Sequence, residues 1–306
     1  MGFSRLITLI TLSLLFFLPT VVVAEDLIVE NTPVEQYPRI ERVVFPDKVT
    51  YTPPKDAKDN YVGDPQGYSA DGMSYHDDSL DIRVHKIRAY DTSVWVAYIQ
   101  IADAEQFRTE QAKPYPSKAT VKIDRLSQRV NAILAVNGDW CTYHNEGIIY
   151  RNGEVLREHS SKKHGLIVDR NGDLHIMTTM NRKEYAAFPT GVMHSFLFGP
   201  GLVMNGELME IDRDVTYRER VAIGQMAPLC YVLIATDGED DANSKGLSIQ
   251  QVAQLMYDLG AHTAYNMDGG KSTTMMLNMI KLTGDSPEPR RAIGDIIYFT
   301  TAIPNK

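Results

Sequence analysis

From Leu80 onward, short apolar runs alternate with polar turns. Leu80, Ile82 and Val84 occupy every second position, the period of a strand with one face in a core. Tyr90-Asp91-Thr92-Ser93 reads as a turn into a second apolar strand, residues 94–101. Partial helical spacing of Val121, Leu126 and Val130 predicts a helix over 119–129, which feeds a buried strand at 132–136. Asn152-Gly153, Asn171-Gly172 and Asn205-Gly206 each lie between short apolar runs. Asn-Gly accepts the positive φ angles of a tight turn, so these are three expected β-hairpins; their irregular spacing does not make a repeat.

The clearest helix begins at Ser248. With Gln251 it forms a capping box; Val252, Leu255, Met256 and Leu259 make one apolar face, and Gly260 is the expected left-handed stop. A strand over 264–267, an Asp-Gly-Gly loop, a strand over 273–277 and a last strand over 291–301 complete the chain. This pattern predicts an α+β or mixed α/β domain over residues 66–306. Its sheet would be mostly antiparallel or mixed, with several hairpins and at least two packed helices.

Other features bear on the N-terminus. Arg5, an apolar run from Leu6 to Phe17 and small residues ending at Ala24 read as a secretory signal peptide, residues 1–24. The protein is then expected outside the cytoplasm, with no stable membrane insertion after cleavage. Residues 25–65 carry six prolines and no periodicity, and read as an acidic leader. The formal net charge of −8 comes without basic blocks, which argues against nucleic acid as a partner. Cys141 and Cys230 allow a single pairing, which their spacing does not decide.

The chemistry concentrates at Asn266-Met267-Asp268-Gly269-Gly270-Lys271-Ser272-Thr273. Two glycines after a strand let backbone N–H groups approach an anion, and Lys271, Ser272 and Thr273 add donors. The same loop also fits a Gly-rich hairpin with an Asx turn, so alone it does not decide. A nucleotide-binding reading of Gly270-Lys271-Ser272 fails, because Tyr265 stands where a P-loop needs glycine and a strand follows where it needs a helix. There is no Gly-x-Ser-x-Gly and no His-Glu-x-x-His. Asn137-Gly138-Asp139 and Asp237-Gly238 also end apolar strands, so three strands would deliver Asx and Gly to one rim, or to three ordinary turns.

Six segments in order carry a resemblance. They are Asn137-Gly138-Asp139-Trp140, Gly199-Pro200-Gly201-Leu202-Val203, Arg220-Val221-Ala222-Ile223-Gly224, Asp237-Gly238, Gly246-Leu247-Ser248 and the loop at Asp268. Together they resemble the phosphodiester glycosidase family, over about Tyr68 to Thr301. The chain departs from that pattern at Asp139-Trp140-Cys141, where Gly-Phe-Phe is usual, at Glu239, where Arg is common, and at Lys271, where a third glycine is expected.

The resemblance implies cleavage of a sugar-1-phosphodiester at the anomeric carbon, as in a small glycan phosphodiester, a wall polymer or an exopolysaccharide. Such a reaction passes through an oxocarbenium-like state managed by carboxylates. Asp268 is the first candidate, Asp237 the second, with Glu146 and Asp139 behind them. Arg220 would neutralise the phosphate. Gly269, Gly270, Lys271, Ser272 and Thr273 would complete an anion cradle, while Asn137 and Asn266 orient the sugar. Arg290 and Arg291 could also face phosphate, but a surface pair of arginines before a strand is the better reading of them. No cofactor is required, although the same aspartates could hold Ca²⁺ or Mg²⁺. A metal-dependent phosphodiesterase and a non-catalytic glycan-binding envelope protein are the competing readings.

Overall fold

Strands dominate the residues that the computed structural model describes: 49, 51–53, 60–212, 216–287, 289 and 291–304. Strands β1 (Ser74–Asp77), β2 (Leu80–Ala89) and β3 (Thr92–Ile101) form a meander. At the β2–β3 turn Tyr90 and Asp91 take φ of 50° and 58°, the left-handed pair a two-residue hairpin requires. β4 (Phe107–Gln111) leads by a loop to α1 (Ile123–Arg129) and β5 (Leu134–Asn137). α1 starts later than its periodicity suggests, because Val121 exchanges two backbone hydrogen bonds with Ile293 and keeps that segment out of the helix.

All three Asn-Gly pairs lie in hairpins. They join β6 (Gly147–Arg151) to β7 (Glu154–His159), β8 (Gly165–Asp169) to β9 (Leu174–Met177), and β11 (Gly201–Met204) to β12 (Glu207–Leu208). Between the last two hairpins lie α2 (Arg182–Ala186) and β10 (Val192–Phe196). The remaining elements are β13 (Val221–Ala227), β14 (Cys230–Thr236), α3 (Ile249–Asp258), β15 (Thr263–Asn266), β16 (Met275–Leu277), β17 (Ile280–Lys281) and β18 (Asp295–Phe299). α3 carries the expected capping box: Ser248 Oγ accepts from the Gln251 N–H, and Gln251 Oε1 accepts from the Ser248 N–H. Gly260 follows at φ 89°.

Eight strands form one sheet in the order β1-β2-β3-β14-β13-β15-β11-β12, and five form another, β17-β16-β5-β18-β4. A three-stranded sheet, β10-β8-β9, and the β6–β7 hairpin complete the set. Every strand pair among the described residues is antiparallel, so the parallel component of a mixed α/β sheet does not occur there. With three short α-helices among the described residues, the fold is sheet-dominated.

Side-chain alternation explains the layers. Along β14, Tyr231, Leu233 and Ala235 enter a core shared with Val136, Phe196, Met275 and Ile297, while Val232 and Ile234 face α3. Along β18, Ile297 and Phe299 enter the shared core, while Ile296 and Tyr298 meet Ile123 and Leu126 of α1. Successive side chains of a strand point to opposite faces, so both sheets are covered on both sides. These strands therefore read as continuous apolar runs, and their polar residues are left to the ends.

Residues 1–24 and most of the leader fall outside the described residues. Asn60 belongs to the domain: Arg108, Asn131 and Tyr298 all donate to it. No helix among the described residues is long and apolar enough to cross a membrane.

Candidate active site

β14 and β15 flank β13 and run antiparallel to it, so their C-terminal ends share one edge of the large sheet. The five-stranded sheet brings the end of β5 to the same edge. Asn137 Nδ2 donates to the Asp268 carbonyl at 2.7 Å, and its Oδ1 accepts from the Thr274 N–H at 3.0 Å. The Asp268 N–H donates to the Gly138 carbonyl at 3.3 Å. The two loops are stapled together, and Asn137 is the staple. Both ends of its amide are committed to backbone, which moves it from sugar contact to scaffold.

The Asp-Gly-Gly loop closes against the residue before Arg220. The Gly270 N–H donates to the Glu219 carbonyl at 2.9 Å. A Cβ on Gly269 would lie 2.6 Å from that same oxygen, and one on Gly238 would lie 2.4 Å from the Glu219 side chain. Buried Glu219 thus stands between the Asp268 and Asp237 loops. Gly270 to Ser272 make a single 3₁₀ turn, and the strand expected from 273 begins at Met275, with no P-loop helix.

Asp268 is buried, and burial raises its carboxyl to about 6. The Ser272 hydroxyl and the Gly269 N–H donate to it and work in the opposite direction, as does the Arg291 charge, while Asp295 adds to the rise. The loop's donors therefore converge on its own carboxylate and on Glu219. What the sequence suggested as a cradle for an external anion is first a cradle for Asp268. Lys271 is exposed and makes no ion pair among the described residues. The Thr273 N–H donates to the Gly270 carbonyl, and its buried hydroxyl has no partner among the described residues. Asn266 donates through Nδ2 to the Gly199 carbonyl at 2.7 Å, and its buried Oδ1 has no partner among the described residues.

The other candidates are placed differently. Asp237 Oδ1 accepts from the Gly284 N–H at 2.6 Å, and Oδ2 lies 4.0 Å from Lys86 Nζ. Burial raises its pKa, the Gly284 hydrogen bond and Lys86 lower it, and Asp241 and Asp285 add to the rise. Arg220 turns its guanidinium to backbone, with Nε on the Leu247 carbonyl at 3.0 Å and Nη2 on that of Thr216 at 2.8 Å. Those two donors tie Arg220 to the segment before α3 and to the Thr216 carbonyl. Glu146 is half-exposed, paired with Lys163 at 2.5 Å and accepting from Ser161 at 2.9 Å, which holds its pKa low.

Asp139 is fully buried. Its carboxylate accepts from Arg151 Nη2 at 2.7 Å and from the N–H groups of Cys141 and Leu197. The same Nη2 donates at 2.9 Å to Asp295, whose other oxygen accepts from the Trp140 N–H at 3.2 Å. Burial and the Asp139 charge push the Asp295 carboxyl up. Asp139, Cys141 and Asp295 are close enough to hold an ion, yet Arg151 already supplies the cation, and two carboxylates with a thiol do not suit a hard metal. Cys141 and Cys230 form no disulfide with each other.

Sequence reasoning missed Asp295, Arg151 and Glu219. It sought carboxylates at strand C-terminal ends. In antiparallel sheets the N-terminal end of β18 reaches the same rim, and an Asp directly before Ile296-Ile297 was the available signal.

Residues 130–300 match the family model described as NAGPA, phosphodiester glycosidase. No curated protein matches the chain by sequence. Among solved structures, the fold is similar to the catalytic domain of zebrafish N-acetylglucosamine-1-phosphodiester alpha-N-acetylglucosaminidase, auto-inhibited by its pro-peptide. The TM-score is 0.58 at 16% identity, covering 79% of this chain and 87% of that one. A protein of Burkholderia pseudomallei K96243 described as exported is similar at TM-score 0.50 and 14% identity, covering 70% and 75%. The family model spans more than half of the chain, and the chain belongs to the phosphodiester glycosidase family.

Proposed function

We propose that this protein is an extracytoplasmic hydrolase that cleaves the glycosidic bond of a sugar-1-phosphodiester, with Asp268 as its catalytic carboxyl. The observation that carries this reading is the state of Asp268. It is a buried carboxyl raised to about 6, steadied by Ser272 and the Gly269 N–H, with the exposed cation Arg291 acting on it. A carboxyl in that range is mostly ionised at neutral pH and still basic enough to take a proton from water. It can equally attack the anomeric carbon as a nucleophile. The leaving group is a phosphomonoester, a weak base, so it needs charge neutralisation more than protonation. Asn266 Oδ1 is our candidate acceptor for a sugar hydroxyl or acetamido N–H.

N-acetylglucosamine is the sugar named for the zebrafish enzyme, and it is the sugar we propose here. The apolar segment 6–17 and the Burkholderia neighbour described as exported support the compartment. The test is incubation of residues 25–306 with an α-N-acetylglucosamine-1-phosphodiester, with and without chelator. Free sugar plus phosphomonoester is the expected product pair. Sugar-1-phosphate would mean P–O cleavage and defeat the proposal, as would glycan binding without turnover.

A further inference from the structure

Trp140 has φ of 53°, a left-handed backbone that large side chains rarely adopt. Buried contacts hold it there. Its N–H donates to Asp295, its carbonyl accepts from the Tyr143 N–H at 3.0 Å, and Asp295 is itself tied to Arg151 and Asp139. A Cβ on Gly294 would lie 3.3 Å from indole Cδ1, so the ring rests on that backbone. Strain maintained by a buried network points to a task for the residue it orients.

Two groups stack on the indole. The Tyr143 ring lies at 4.3 Å and 25°, and the Arg291 guanidinium carbon lies 4.1 Å from the ring centroid. Stacking uses the flat face of a guanidinium and leaves its N–H edge for an oxyanion. Arg291 is exposed, and none of the described residues accepts a hydrogen bond from it. The loop of Trp140, on which Arg291 rests, is joined to the Asp268 loop by the staple of Asn137 and Gly138. Asp268 is faced by Ser272 and the Gly269 N–H from its own turn, and by Arg291 and Asp295 from the β18 side. Among cations, Arg291 bears on it most, ahead of exposed Lys271. Arg220 has two donors turned away to carbonyls.

We propose that Arg291, carried on the Trp140 indole, is the cation that receives the substrate's phosphodiester, and that Trp140 is its positioning residue. This rests on the reading of Asp268 as the carboxyl that acts at the anomeric carbon. Asp139 and Trp140, where the family pattern has glycine and phenylalanine, then belong to one device, a buried acid–arginine network that fixes the indole beneath the guanidinium.

The test uses the full chain carrying Asp268→Asn, titrated with α-N-acetylglucosamine-1-(methyl phosphate) and with the uncharged methyl α-N-acetylglucosaminide. The diester should bind about tenfold tighter, as charge-assisted hydrogen bonds allow. Arg291→Gln should erase that preference, and Arg291→Lys should keep only part of it. Trp140→Ala should behave like Arg291→Gln, and Trp140→Phe should restore the preference. In the active enzyme, Arg291→Gln and Trp140→Ala should also move the acid limb of kcat/KM to higher pH, because the cation that lowers the Asp268 pKa is lost or displaced. An unchanged diester preference in Arg291→Gln, or no diester preference at all, overturns the proposal. So does equal weakening of both ligands by Trp140→Ala. Turnover with an Arg291-independent preference would leave the catalytic reading standing and remove this one; a preference without turnover would do the reverse.

Discussion

Asp237 and Asp268 share one local grammar, yet their surroundings make them different residues. Each follows a buried strand, each precedes glycine, and Glu219 lies between their loops. The Asp237 carboxylate is bound by a distant backbone N–H, that of Gly284, and has Lys86 at 4.0 Å. Asp241 secures the next turn by accepting from Gly238 and from Asp285. Asp268 is bound by its own turn, through Ser272 and Gly269, and its cation neighbour is exposed. A carboxylate tied to remote backbone closes a loop. One tied to its own turn stays local and leaves the facing side for chemistry.

The sharpest way to break this contrast is a pair of isosteric substitutions. Asp268→Asn should lower kcat by about a thousandfold or more, within the range for losing an acid–base group. Asp237→Asn should cost about tenfold at most, through loosening of the Gly284 contact. Steady-state kinetics on the glycosyl phosphodiester decides it, and comparable losses in the two variants would erase the distinction.

Stability should respond in the opposite sense. The Asp268 pKa rises from 3.8 to about 6 on folding, so its contribution is fully present below about pH 4 and is lost as pH rises through about 6. A shift of about two units corresponds to about 3 kcal/mol. Asp268→Asn, which stays neutral, should match wild type near pH 4 and exceed its stability by up to about 3 kcal/mol above pH 7. Asp237→Asn should show the same sign, reduced because Lys86 already offsets part of the burial cost. Urea unfolding across that pH range measures both, and a pH-independent difference at Asp268 would contradict its raised pKa.

The neighbouring glycines separate close approach from backbone conformation. Ala at 269 would press its Cβ on the Glu219 carbonyl at 2.6 Å, at a cost of about 1–3 kcal/mol with a displaced Asp268. Ala at 270 would meet no atom within 4 Å and would pay only for φ of 60°, about 1 kcal/mol. Melting temperature and kcat should therefore both fall further for Gly269→Ala. The reverse order would mean that the loop is set by its own conformation and not by Glu219.

Much of this fold is legible in the chain because its signals are local. The Ser248–Gln251 capping box and the Asn-Gly turns depend on neighbours a few residues apart, and they occur where the pattern places them. The site divides along the same line. Asp268 is legible because its partners, Ser272 and Gly269, lie in its own turn. Arg151 was invisible, since its role requires Asp139, twelve residues away, and Asp295, 144 residues away, to meet across packed sheets. The surroundings of Arg220 were hidden for a related reason. Its side chain suits a phosphate, but the carbonyls it binds, those of Leu247 and Thr216, are brought to it by the fold.

Glu146 gives the smallest expected effect and tests the contrast from outside the rim. Its carboxylate is satisfied by flexible surface partners, Lys163 at 2.5 Å and Ser161 at 2.9 Å, and both members of the ion pair are exposed. Exposed pairs of this kind contribute about 0–1 kcal/mol, because solvent screens the attraction and two long side chains lose freedom. The pKa of Glu146 is held low, the reverse of Asp268, so near neutrality it stays ionised and is a poor proton carrier. Glu146→Gln should therefore leave kcat/KM within about twofold and stability within about 1 kcal/mol, measured on the same phosphodiester and by urea unfolding. A tenfold loss confined to KM would return Glu146 to the substrate, and would mean that the binding surface reaches past the strand ends to the loop before β6.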